Sequence, residues 1–185
     1  MNYVNSVKIS GLLHHLTRKK DDKHFAFSIR HENLWTDGTT RKDFLSARAF
    51  SDDVCEKLKS LDENTPILIE GVLRSSKGSG ELYLAAEKAE ILPELKELEN
   101  LVKLSGYVHV IKAQSEGETG TGKYTRFAVR QENSNGKDFI VVRVYDEDLR
   151  KILAAKNSDD PVEVEGTLRS SRGSGVNYVR CSKLD

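Results

Sequence analysis

The chain has 185 residues, its 29 Lys+Arg cancel its 29 Asp+Glu, and 37% of it is hydrophobic with only 7% aromatic. That length suits one ordinary domain or two small ones with thin cores. No apolar run approaches the ~18 residues needed to span a bilayer, and the N-terminus lacks a signal-peptide core, so a soluble, cytoplasmic protein is expected. Two cysteines, Cys55 and Cys181, are too few for a disulfide framework and suit a reducing compartment.

Taken in order, the pattern predicts strands near 4–14, 23–33, 43–50, 65–74 and 80–90. After the third strand, Ser51-Asp52-Asp53 offers a cap and first-turn acids. Val54, Leu58 and Leu61 then form an i, i+4, i+7 stripe, which predicts a short helix. A connection over Leu92 to Glu99 follows, too short and too apolar to be a free tether.

The chain then repeats itself. Asn5-Ser-Val-Lys-Ile-Ser-Gly11 returns as Asn100-Leu-Val-Lys-Leu-Ser-Gly106, at an offset of 95. Glu70-Gly-Val-Leu-Arg-Ser-Ser-Lys-Gly-Ser-Gly80 returns at the same offset as Glu165-Gly-Thr-Leu-Arg-Ser-Ser-Arg-Gly-Ser-Gly175. Between them, Phe27-Ser-Ile-Arg-His-Glu-Asn33 matches Phe127-Ala-Val-Arg-Gln-Glu-Asn133 at an offset of 100. The shift predicts a longer loop before that strand in the second copy and a shorter one after it, as duplicated folds tolerate. A period this long means two domains rather than a solenoid. Domain 1 is placed at 1–93, a linker at 94–99 and domain 2 at 100–185, with the halves held close together. In the second copy Asp146-Glu-Asp148, Leu149 and Leu153 keep the helix pattern, and Val162-Glu-Val-Glu-Gly-Thr-Leu168 alternates as a half-buried strand. That register carries to the first copy and turns Ile67, Ile69 and Leu73 inward. The expected fold is therefore all-β with one short helix per repeat: two tandem five-stranded OB-fold barrels.

Alternation also says what faces outward. On the third strand Leu45, Ala47 and Ala49 point in, leaving Phe44, Ser46, Arg48 and Phe50 outside. The second copy puts Ile140, Val142 and Val144 in, with Phe139, Val141, Arg143 and Tyr145 out. Arg30 and Arg130 point outward on the second strand, joined in the second copy by Tyr124 and Arg126. Tyr83, Tyr178 and Arg180 do so on the fifth. The tips Arg74 to Gly80 and Arg169 to Gly175, carrying Lys77 and Arg172, look like flexible hairpins able to close over a bound strand. His14 to Lys20 adds positive charge near the first barrel. Unpaired bases offer π-faces to stack on while Arg and Lys follow phosphates, so the pattern points to single-stranded nucleic acid. The alternative is that these rings are buried against the other domain or another subunit.

Other motifs point nowhere. Gly117-Glu-Thr-Gly-Thr-Gly122-Lys123 fits part of a phosphate-binding loop, but Tyr124 stands where Ser or Thr belongs and a strand is expected behind it. His14, His15, His24 and His31 have no zinc-ligand spacing, and no nucleophile motif stands out. No catalysis, metal or other cofactor is expected.

On these residues the sequence resembles bacterial single-stranded DNA-binding proteins of the SSB family, in tandem. Phe27 to Trp35 resembles that family's second strand running into its loop tryptophan, and Asp43 to Phe50 its third strand with two base-stacking aromatics. Glu70 to Arg74 resembles its fourth strand. The resemblance implies stacking roles for Trp35, Phe44, Phe50, Phe139 and Tyr145. It implies a partner in single-stranded DNA, with RNA as the alternative, a role in DNA replication or repair, and a homodimer giving four barrels. Asn135 replaces Trp35 in the second copy, and Gly78 and Gly173 stand where many members carry a hairpin aromatic. The chain ends at Asp185 without the family's acidic tail, so a hub role is not implied. The competing readings are a replication-restart or recombination accessory, an RNA-binding OB protein, or a protein-interaction module.

Overall fold

A computed structural model of the protein describes residues 2–15, 24–34, 37–109, 115–119 and 122–185. The first half runs β1 (Asn5–His15), β2 (Phe25–Leu34), β3 (Thr40–Ala49), α1 (Asp52–Lys59), β4 (Pro66–Ser75) and β5 (Leu82–Ile91). The second runs β6 (Asn100–His109), β7 (Ser115–Thr119), β8 (Gly122–Asn133), β9 (Gly136–Val144), α2 (Glu147–Ala154), β10 (Pro161–Ser170) and β11 (Asn177–Leu184).

Each half closes on itself. In the first, β1 pairs antiparallel with β2 and β4, β2 with β3 and β4 with β5, and the parallel pair β3–β5 (Ala47 opposite Leu84) seals the barrel. The second repeats this circuit through β6, β8, β9, β11 and β10, sealed by parallel β9–β11 with Val142 opposite Val179. Both interiors are filled by the inward half of the alternation: Phe27, Ile29, Leu45, Ile69 and Leu73 in one, Val129, Ile140, Val142 and Leu168 in the other. Burying such a side chain is worth about 1.5–3 kcal/mol, which lets a barrel this small stand.

One edge of β1 serves two partners. Residues 5–9 pair with β6 of the other half, and 12–15 pair with β2. The change of partner falls at Gly11, where a Cβ would lie 2.6 Å from the Arg30 carbonyl oxygen. β6 does the same at Gly106. In the β1–β6 pairing Val7 lies opposite Val102, its own counterpart in the repeat, while the pairs Asn5–Leu104 and Ile9–Asn100 exchange under the 95-residue offset. The halves are thus related by a pseudo-twofold axis between Val7 and Val102, like the two subunits of an isologous dimer. One eleven-stranded sheet runs through the molecule.

The helices form where expected. Ser51 Oγ accepts from Val54 N, and Asp146 accepts from Asp148 N and Leu149 N, capping α1 and α2. Val54, Cys55 and Leu58 are the buried face of α1, and Leu153 that of α2, with Leu149 partly buried.

One element differs from expectation. The lengthened loop of the second copy contains β7, paired with β8 from Ser115 opposite Arg126 to Thr119 opposite Gly122. Glycines masked the strand, because Gly122 at φ +106° permits a reversal that lets Glu116 to Thr119 pair backwards. Lys123 therefore continues into a strand, with no helix behind it to cradle a phosphate.

Candidate nucleic-acid interface

The third strand of each barrel lays out a row of side chains, because alternation exposes every second residue. Phe44 is 45% exposed and Phe50 49%, with Leu45, Ala47 and Ala49 buried beneath. These two rings sit six residues apart, so they form separate stations roughly 20 Å apart along the strand.

At the first station the His14 ring meets Phe44 edge-on, 5.4 Å between centroids, and His14 Nδ1 lies against the Glu63 carboxylate. At the second, Phe50 lies 5.3 Å from His24 and 6.3 Å from Tyr83. Arg48 stacks over Tyr83 at 4.2 Å and donates to Ser76 Oγ, 3.2 Å away. Arg30 stands opposite Phe44 in register and faces Glu32 at 3.6 Å. Lys77 is exposed at the β4–β5 tip.

Barrel 2 repeats the stations with different chemistry. His109 lies 4.7 Å from Phe139, the counterpart of His14 against Phe44. At the second station Tyr124 and Tyr145 are 5.2 Å apart. Arg143 covers Tyr178 at 4.0 Å and Tyr124 at 4.9 Å, and Arg180 covers Tyr145 at 4.7 Å. Arg143 also donates to Ser171 Oγ at 2.7 Å. Arg126 is exposed on β8 opposite Arg143, and Arg172 is exposed at the β10–β11 tip. Arg130 is ion-paired with Asp159, close to Glu132, and 5.4 Å from the Tyr107 ring.

Three expectations change. Tyr178 is only 4% exposed, so its ring is a buried support for Arg143 and offers no open platform. Its hydroxyl is held above the usual tyrosine pKa, chiefly by burial and then by neighbouring Tyr145. Arg169, 5% exposed, does not face solvent either. Its Nε donates to Asp43 Oδ2 of barrel 1 at 2.8 Å, and Ser170 N and Oγ donate to Asp43 Oδ1 at 3.2 and 3.0 Å. Asn33 and Arg41 complete that carboxylate's surroundings at 2.8 and 3.4 Å. The pseudo-twofold repeats the cluster. Arg74 Nε lies 2.9 Å from Asp138 of barrel 2, whose carboxylate also accepts from Ser75 N and Oγ and from Asn133. Arg74 and Arg169 are thus ties between barrels. A buried carboxylate demands such partners; they take Arg169 from the exposed surface and leave Arg74 partly open to it.

The hairpins, too, are rooted rather than loose flaps. Ser76 N donates to the Glu81 carbonyl and Gly80 N to that of Ser76, and Ser171 and Gly175 repeat the pattern. Asn177 ties the second hairpin to barrel 1, accepting from Ser46 N at 3.2 Å and donating to its carbonyl at 3.0 Å. Trp35 and the Arg18 to Lys20 charges lie outside the described residues.

Sequence reasoning missed the three histidines as ring partners and Asp43 and Asp138 as anchors. A signal existed for the acids: they stand at equivalent strand positions in both copies, 95 residues apart. Among the described residues no three His, Cys, Asp or Glu side chains gather as a metal site, and no helix is long and apolar enough to cross a membrane.

Two small Greek-key barrels, each with a helix between its third and fourth main strands, make this a tandem OB-fold protein. No protein-family model matches the chain, and no curated protein matches it. Among solved structures, the wild-type single-stranded DNA binding protein from Thermus aquaticus matches with a TM-score of 0.77 and 19% identity, over 100% of this chain and 93% of that chain. A deletion variant of the same protein gives 0.77 and 18%, over 99% and 94%. The chain shares that protein's two-barrel fold from end to end.

Proposed function

We propose that the protein binds single-stranded DNA with little sequence preference, without catalysis, as a cytoplasmic factor in DNA replication or repair. One observation carries the reading: an aromatic–x3–Arg–x–aromatic row, outward-facing, occurs on the third main strand of both barrels. The β2–β3 face of an OB fold is where oligonucleotides lie, and the solved protein of the same fold is named for single-stranded DNA binding. Bases stack on Phe44, Phe50, Phe139 and Tyr145, with Tyr83 and Tyr124 beside them and Trp35 as a further platform. Phosphates follow Arg30, Arg48, Lys77, Arg126, Arg130, Arg143, Arg172 and Arg180. Poly-U compared with poly-dT separates RNA from DNA binding. A homodimer of four barrels belongs to the same reading, and a measured solution mass checks it.

Trp35 is the sole tryptophan and makes the direct test. Its fluorescence is expected to be quenched by oligo-dT at low salt, with duplex DNA competing poorly and binding weakening steeply as salt rises. Unchanged fluorescence together with no mobility shift of a labelled single strand overturns the proposal.

A further inference from the structure

His14 on β1 and His109 on β6 occupy equivalent positions, 95 residues apart, and each sets its imidazole against the equivalent aromatic of the third main strand. Strand register brings the rings together. His14 stands opposite Ser28 and Ser28 opposite Ser46, so Phe44, the next outward residue on β3, is a diagonal neighbour within reach of a ring. His109, Ala128 and Val141 repeat that row, with Phe139 beside it. Both imidazoles are part-exposed rather than buried in the cores. A base stacked on Phe44 or Phe139 carries its own phosphate past the edge of the ring, where the imidazole stands. We infer that His14 and His109 are nucleic-acid contacts of the first stations, each giving a ring N–H to a phosphate of the nucleotide stacked beside it. The inference rests on the single-strand reading above and deepens it, because an imidazole changes charge between about pH 5 and 8 and so makes binding take up protons.

The charged surroundings separate the two histidines. In barrel 1 the Glu63 carboxylate lies against His14 Nδ1, which leaves Nε2 as the nitrogen that meets a ligand. Arg30 and Glu32, 3.6 Å apart, stand on the neighbouring strand. In barrel 2 Ser158 occupies the position equivalent to Glu63. There Arg130 is ion-paired with Asp159, close to Glu132 and 5.4 Å from the ring of Tyr107, two residues before His109 on β6. No carboxylate pairs with His109 itself among the described residues. A protonated His14 is therefore partly neutralised by Glu63, whereas a protonated His109 offers its whole charge to a phosphate. His109 carries the larger share of the effect. A phosphate favours the charged imidazole, so the contact is fully present at low pH and is lost as pH rises through the range of the bound imidazole.

The test is oligo-dT binding by the full chain at fixed salt, from about pH 8.5 down to about pH 5.5. Wild-type affinity is expected to rise about 5- to 10-fold over that range, the size of a one-unit pKa shift or a little less. His109→Gln, which cannot take a proton, is expected to match the wild type at the alkaline end and to lose the larger part of the rise. His14→Gln is expected to lose a smaller part, and the double variant to keep only what His24 at the second station adds. His31→Gln is the control: it changes a buried histidine whose counterpart is already Gln131, and it is expected to keep the wild-type profile. A wild type whose affinity ignores pH, or histidine variants that keep its full profile, overturn the inference and leave single-strand binding standing. So does a His109→Gln protein weakened equally at both ends of the range, because its imidazole then only props up Phe139. A wild-type protein that binds no strand overturns the functional reading and this inference with it.

Discussion

At the second station of barrel 1, Phe50 stands 49% exposed with His24 and Tyr83 around it. At the same place in barrel 2, Tyr145 lies half-buried beneath Arg180, and Tyr178 is sealed under Arg143. The scaffold under these surfaces is the same: equivalent closing pairs, equivalent glycines where β1 and β6 change partners, and an Asp–Arg–Ser cluster reaching across in each direction. Duplication has kept what closes the barrels and joins them, and has varied what faces the solvent. Arg48 over Tyr83 and Arg143 over Tyr178 are the same pair in the two barrels, and the difference lies at the last aromatic of the row: Phe50 is open, whereas its counterpart Tyr145 lies beneath Arg180. A base arriving at Tyr145 must displace a guanidinium worth about 0.5–2 kcal/mol to the ring beneath it.

The hardest way to break the symmetry is to remove one of the buried acids. Asp43→Asn leaves Arg169 buried with its charge uncompensated, and Asp138→Asn does the same to the more exposed Arg74. Loss of one partner from a buried pair costs about 3–5 kcal/mol, so Asp43→Asn is expected near that range. Asp138→Asn should cost less, because Arg74 reaches water. Urea unfolding of the two variants measures the difference, and equal losses show that the clusters bury their charges equally.

A smaller effect tests the faces themselves. Phe50→Ala is expected to weaken oligo-dT binding by about 1–3 kcal/mol, the range for one stacked base. Tyr145→Ala should lose less, since Arg180 already occupies that ring. Phe44→Ala should resemble Phe50→Ala in binding and stay soluble, because its ring is 45% exposed. If Phe44→Ala aggregates or changes the solution mass, that ring is structural. Equal losses at Phe50 and Tyr145 show that the cation caps do not matter.

How much of this was legible in the sequence follows from what alternation encodes. It separates inside from outside along a strand, so the inward rows and the exposed Phe44 and Phe50 were readable, and two copies fixed the register where one was ambiguous. It does not say whether another barrel covers the outside. Arg169 and Ser170 are consecutive and both buried, which a lone barrel forbids and an inter-barrel contact produces. The same cover took Arg169 from the solvent face and bound Arg74 to Asp138. The His24 partner was hidden by loop insertions, which displace His24 and Tyr124 by 100 residues while Phe50 and Tyr145 remain 95 apart. β7 was hidden by Gly117 within it and the glycines that follow, because a segment with little side-chain pattern carries no periodicity to read.

The finest comparison uses one thiol per barrel. Cys55 on α1 donates to the Ala49 carbonyl and Cys181 on β11 to that of Lys183, and both are buried. Burial pushes the Cys181 thiol from its ordinary 9.0 up to about 12. A thiol that ionises less readily when folded supports the native state fully below pH 9, where both states are protonated. As pH rises from 9 toward 12, the unfolded chain gains the thiolate that the folded chain cannot form, and stability falls by up to about 1.4 kcal/mol per pH unit. Unfolding free energies measured at pH 8 and pH 10 are expected to differ by roughly 1 kcal/mol more in the wild type than in Cys181→Ala. The raised Tyr178 hydroxyl acts in the same direction but remains in both proteins, so it cancels from the difference. If Cys181→Ala shows the full wild-type pH dependence, the alkaline loss belongs to Tyr178 or to barrel 1, and barrel 2 is not held together around a buried neutral thiol.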